Sequence, residues 1–130
     1  MTPLGPQLIG ETEKGLNAVL RRILQGTGLS EPEWVVLRLA VGNDAGGDLG
    51  ALVAHKTHLA DARELVEALA GRGLVAGNTA SARGRALVAE KLREIAEVTA
   101  SIWEGLDAGD VAATERTLQV IAARSRALLA

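Results

Sequence analysis

Six residues carry most of the chemistry this sequence offers: Lys56, Thr57, His58, Arg63, Arg83 and Arg85. They are cations, a hydroxyl and an imidazole, the groups that meet phosphate oxygens and base edges. Lys56, Thr57 and His58 fall in a turn between two short helical patterns, a place that commonly touches phosphate. Arg63 opens the second of those helices and is the best base reader there, because its fork fits guanine bidentately. It equally fits an i,i+4 pair with Glu67 on a solvated face. Arg83 and Arg85 flank Gly84 where the next helix begins, and helix N-termini favour anions. Arg85 also suits an ion pair with Glu90 or a neighbouring helix. A histidine beside phosphates would tune binding around its unperturbed pKa of ~6.5.

Other chemistries lack their parts. There is no cysteine, so no disulfide, thiolate metal site or cysteine nucleophile can form. His55 and His58 are the only histidines, with no third ligand in view, so no metal is expected. No Ser/His/Asp arrangement, phosphate-cradling glycine loop or paired buried carboxylates can be assembled. The glycines sit at helix ends, where capping explains them. No enzyme activity and no cofactor are therefore expected. Trp34 and Trp103 are the only aromatic residues. They are the candidates for a ligand pocket, or, more simply, core anchors at helix junctions.

The elements that must position these groups are helical. Hydrophobic residues make up 48% of the 130 positions and aromatics 2%, so the core is built of Leu, Val, Ile and Ala. Leu8, Ile9, Leu16, Val19, Leu20, Ile23 and Leu24 predict an amphipathic helix over 6–25, stopped by Gly26 and Gly28. Ser30-Glu31-Pro32-Glu33 is a capping box opening a second helix through Val41. Gly42-Asn43 and Gly46-Gly47 then predict a flexible loop. Asp48 caps a short helix over 48–56, Thr57-His58-Leu59 turns the chain, and a fourth helix covers 60–72. Gly73 ends it. Leu74-Val75-Ala76 is one short strand and Gly77-Asn78-Thr79 a turn. Ser81 caps the longest helix, 82–104, and Asp107 or Asp110 caps a sixth that runs to the C-terminus.

This order reads as a mainly α, winged-helix-like helix-turn-helix domain whose wing hairpin is reduced or absent. Only about five residues separate Val75 from the next helix, which leaves no room for a hairpin of ordinary wing length. We read residues 1–130 as a single domain, with 48–81 as the helix-turn-helix lobe and 6–43 and 82–130 as long dimerisation helices. Apolar stripes that long need a partner, and a two-fold homodimer is the commonest solution.

Charge placement agrees with the motif order. The whole chain carries −2, but residues 49–85 hold Lys56, Arg63, Arg72, Arg83 and Arg85 against Asp61, Glu64 and Glu67. That central third is the only net positive one, the sign that double-stranded DNA requires. No run of apolar residues is long enough for a membrane span, and the N-terminus lacks the pattern of a signal peptide. A soluble cytoplasmic chain with no membrane partner is the expectation.

Three segments resemble the MarR family of bacterial transcription regulators. Gly28-Leu29-Ser30-Glu31-Pro32-Glu33-Trp34-Val35-Val36-Leu37 is similar to the family segment that opens its second helix. Leu65-Val66-Glu67-Ala68-Leu69-Ala70-Gly71-Arg72-Gly73-Leu74-Val75 resembles the end of its recognition helix and the start of its wing. Ser81-Ala82-Arg83-Gly84-Arg85-Ala86-Leu87 resembles the opening of its fifth helix. The resemblance implies a winged helix-turn-helix homodimer on double-stranded DNA, released by a small, often phenolic, aromatic effector. Two departures stand out: no wing arginine lies between Val75 and Ser81, and the recognition helix carries acidic residues on its outer face. They keep open a second reading, a helix-turn-helix scaffold with weakened or lost DNA binding that acts as a protein-interaction or small-molecule-sensing dimer.

Overall fold

The computed structural model describes all 130 residues, in the order α1 (Pro6–Leu24), α2 (Glu31–Gly42), α3 (Leu49–Thr57), α4 (Ala62–Gly71), β1 (Val75–Ala76), β2 (Thr79–Ala80), α5 (Ala82–Trp103) and α6 (Ala108–Leu129). The chain partitions into two compact units, Met1–Glu97 and Val98–Ala130.

The first unit is organised around α2, which packs against α1, α3, α4 and β2. Val36 and Leu37 of α2, Leu49 and Val53 of α3, and Leu69 of α4 are fully buried together. Local chemistry fixes where each helix begins. Ser30 accepts from the Glu33 amide at 3.2 Å while the Glu33 carboxylate accepts from the Ser30 amide at 2.9 Å, completing the capping box. Asp48 accepts from the Ala51 amide at 3.3 Å and so opens α3. Beyond α4 the Leu74 amide reaches back to the Leu69 carbonyl and the Gly73 amide to Ala70, both at 3.0 Å. That closure needs the left-handed φ of +76° at Gly73. Ser81 caps α5 by accepting from the Gly84 amide at 3.0 Å, and its hydroxyl donates to the Gly73 carbonyl at 2.7 Å.

The segment after α4 differs from the sequence expectation of a lone strand. β1 and β2 form an antiparallel hairpin with Val75 opposite Ala80 and Ala76 opposite Thr79. Only Gly77 and Asn78 make the turn, so Thr79 belongs to a strand. Gly77 has φ of +65° while Asn78 keeps a negative φ, the pattern of a tight two-residue hairpin that begins with glycine. A wing is therefore present in reduced form. Thr57, expected in a turn, is the last residue of α3. His58 follows with φ of 58°, the one non-glycine residue in left-handed conformation.

The second unit holds the last turns of α5 and all of α6. Asp107, rather than Asp110, caps α6 by accepting from the Asp110 amide at 2.9 Å. No residue of α6 is buried. Val98, Ile102, Trp103, Leu106, Leu118, Val120, Leu128 and Leu129 are all exposed. No helix of the chain is long and apolar enough to cross a membrane.

Candidate nucleic-acid interface

The α3–turn–α4 pair buries one face and bares the other. Val53, Ala62 and Leu69 point into the core, while Lys56, His58, Arg63, Glu64 and Glu67 are exposed. Thr57 is half-buried, and its hydroxyl donates to the Val53 carbonyl at 2.7 Å and accepts from the Leu59 amide at 3.2 Å. It shapes the turn that presents Lys56 and His58.

Arg63 does not pair with Glu67. Its guanidinium donates to Asp48 at 3.0 Å, across the helix-turn-helix, with both side chains more than half exposed. The arginine lies over Gly50, where an added Cβ would sit 3.1 Å from its Cγ and Nη1. A side chain there would push Arg63 aside, so this glycine in the first turn of α3 serves a close approach. The guanidinium beside Asp48, followed by the Ala51 amide, holds the Asp48 carboxyl below its ordinary value; the pairing in turn raises Arg63. A carboxylate depressed in the folded state stabilises above its unfolded pKa and loses that contribution as pH falls through the folded one. The pair is thus intact at neutral pH and is lost only under acid.

Arg85 is committed to the wing rather than to Glu90. Its guanidinium donates to the Thr79 hydroxyl at 2.8 Å and the Val41 carbonyl at 3.4 Å, and lies 3.5 Å from the Asp44 carboxylate. Thr79 in turn donates to the Ala40 carbonyl at 3.2 Å. Strand β2 and the start of α5 thereby add donors to carbonyls of the last turn of α2, where the Ala40 carbonyl also accepts from the Asn43 amide at 3.2 Å. Arg83 makes a long contact, 3.5 Å, to the Arg72 carbonyl.

Two positioning residues escaped the sequence reading. Asn43, at the end of α2 and nearly buried, donates to the Asn78 carbonyl at 2.7 Å and the Gly47 carbonyl at 2.8 Å. Asn78 then accepts from the Leu49 amide at 3.1 Å. The loop expected to be flexible is thus tied to the wing turn and to the first residue of α3. Asn43→Ala would leave two carbonyls without this donor, so we expect a loss of about 1–3 kcal/mol in urea unfolding. The other residue is Arg72, which donates to the Thr27 and Gly28 carbonyls at 2.7 and 3.0 Å and clamps the α1–α2 turn to the end of α4. The Asn43–Asn78 contact and those of Arg72 span more than thirty residues, beyond the reach of any local pattern.

The tryptophans separate. Trp34 is 2% exposed and sits in the core of the first unit. Trp103, in the second unit, is 57% exposed, and its indole donates to the Thr99 hydroxyl at 3.3 Å. A surface cleft of about 510 Å³ opens instead at the α1–α2 junction, lined by Arg21, Leu24, Gln25, Leu29 and Pro32 among others. No cluster of three or more metal-ligating side chains exists.

No protein-family model matches the chain, and no curated protein matches it in sequence. Among solved structures it is similar to CouR from Rhodococcus jostii RHA1, a MarR-family regulator, in a crystal structure bound to p-coumaroyl-CoA. The identity is 25% and the TM-score 0.77, over 88% of this chain and 89% of that one. The mainly helical fold with its reduced two-stranded wing matches the fold of CouR.

Proposed function

We propose that this chain, a MarR-type regulator by its motifs and fold, acts as a cytoplasmic homodimer on double-stranded DNA and is released by a small aromatic ligand. The observation that carries the reading is the helix-turn-helix itself: α3 and α4 bury Val53, Ala62 and Leu69 and leave Lys56, His58 and Arg63 exposed on the face open to a duplex. Arg83 and Arg85 add charge at the start of α5. The bare apolar stripe of α6 supports dimerisation, with 6–43 and 82–130 as the dimer helices. The aromatic acyl-CoA bound to CouR supports a ligand of that class, and the α1–α2 cleft has the size of a small-molecule site.

Fluorescence anisotropy with duplex DNA from upstream of the protein's own gene tests this. Lys56→Ala should weaken every sequence alike, whereas Arg63→Ala should cost about 1–3 kcal/mol on the preferred sequence and relax its preference. A variant pair that leaves binding unchanged would remove both residues from the interface.

A second reading rests on a specific feature. Asp61, Glu64 and Glu67 are exposed on α4, Arg63 is held by Asp48, and the hairpin carries no cation. A helix-turn-helix scaffold with weak DNA binding, serving as a ligand-sensing or protein-interaction dimer, would have this face. Absence of binding at ~50 mM salt, where screening is weak, would favour it.

A further inference from the structure

Two of the arginines available to DNA are paired with aspartates from one short segment. Asp44 and Asp48 flank the Ala45-Gly46-Gly47 stretch between α2 and α3. Asp44 lies 3.5 Å from Arg85, and Asp48 lies 3.0 Å from Arg63. Both pairs are solvent-exposed: the arginine side chains are 43% and 68% accessible, and Asp44 is 81% accessible. Each carboxylate therefore stands where a phosphate oxygen would otherwise find a guanidinium, and each can be displaced at little cost.

We propose that Asp44 and Asp48 compete with DNA phosphate for Arg85 and Arg63 and so hold the affinity for unrelated sequence too low for it to be occupied. The inference rests on the DNA-binding reading above. Non-specific affinity comes almost wholly from phosphate contacts. An arginine already holding a carboxylate gains less from a phosphate than a free one does. The penalty falls on every sequence alike, so the weak complexes with unrelated DNA lose occupancy first, while a site that supplies further base contacts stays bound. The aspartates thereby set a threshold of affinity that unrelated sequence fails to reach, without changing the ratio of affinities. Asp48 serves a second purpose as the cap of α3, and asparagine caps as well as aspartate. Asp48→Asn thus removes the charge and keeps the helix start.

The test measures binding of the full-length protein to a duplex of unrelated sequence by anisotropy at ~100 mM salt, where exposed charges still interact across about 10 Å. The double variant D44N/D48N should bind it about ten-fold more tightly than wild type, with a steeper salt dependence of about 0.9 for each phosphate contact recruited. The preferred duplex should gain by a similar factor, so the ratio of the two affinities stays near that of wild type while occupancy of unrelated DNA rises. Glu11→Gln removes one such charge from exposed α1 and E11Q/E13Q removes two, so they serve as the net-charge controls for the single and the double variant. In an Arg85→Ala background, Asp44→Asn should add nothing beyond the single-charge control. A gain equalled by the charge-matched control, a gain that survives Arg85→Ala, or no gain while wild type binds DNA would each overturn the competition. Failure of wild type and all variants to bind any duplex would overturn the DNA-binding reading itself, and the competition with it.

Discussion

Gly84→Ala should lower the thermal midpoint by about 10 °C or more and cost at least about 3 kcal/mol in urea unfolding. A Cβ at position 84 would lie 2.1 Å from the Leu74 carbonyl oxygen and 3.2 Å from Leu37 Cδ1. The first is backbone and cannot swing away. It is also held in place, because the Leu74 carbonyl accepts from the Ser81 amide at 3.0 Å. Leu37 is fully buried in the centre of the core, so relief in that direction would require repacking. The only remaining movement is of α5 away from the chain that leaves α4. That would strain the Ser81 contacts to Gly73 and Gly84 and disturb the Thr79–Arg85 contact. The neighbouring Gly77→Ala makes a useful comparison. Nothing lies within 4 Å of its added Cβ, so any cost there comes from its positive φ alone. A Gly84→Ala melt within a few degrees of wild type would show that α5 does not pack this closely on the hairpin.

Leu118→Glu should convert a dimer of about 27 kDa, two chains of 13.5 kDa, into the single chain in sedimentation experiments. Leu118 is 43% exposed and α6 has no buried residue, so the substitution removes little from the fold of the chain itself. The second unit spans only Val98–Ala130, with Thr99 its one buried side chain. A segment that small cannot bury enough apolar surface on its own account. In the proposed dimer a second copy covers the stripe through Val111, Leu118 and Leu128 and so answers that deficit. Loss of the dimer also uncouples two half-sites, so affinity for a full DNA site should fall by about 100-fold or more. Wild-type protein that sediments as a single chain at micromolar concentration would contradict this arrangement.

The elements that depend on near neighbours were legible in the sequence. The capping box at Ser30, the Asp48 cap, the Gly73 terminator and the Ser81 cap all act within a few residues, and a one-dimensional reading sees them. A reduced wing follows from the short span after Val75, but its second strand does not, because five residues read as one strand and a turn. In fact two two-residue strands around Gly77-Asn78 fit the space, and much of their support comes from Asn43 and Ala40 across the chain. The site was read by residue type but not by partner. Spacing lets Arg63 read a base or meet Glu67 four residues on, whereas its carboxylate lies fifteen residues upstream. Arg85 was weighed against Glu90 but meets Asp44 and Thr79. Arg72 was counted only as charge, although it holds the α1–α2 turn. Tertiary contacts chose among partners that sequence spacing left equal.

The measurement closest to the central claim is a salt titration of the wild-type protein on duplex DNA from upstream of its own gene. If Lys56, Arg63, Arg83 and Arg85 of two subunits meet phosphate, the slope of log K against log salt lies at about −4 to −8. A slope in that range, lost together with the dimer in Leu118→Glu, is the predicted result. No binding at ~50 mM salt, or binding whose strength does not change with salt, would contradict the account.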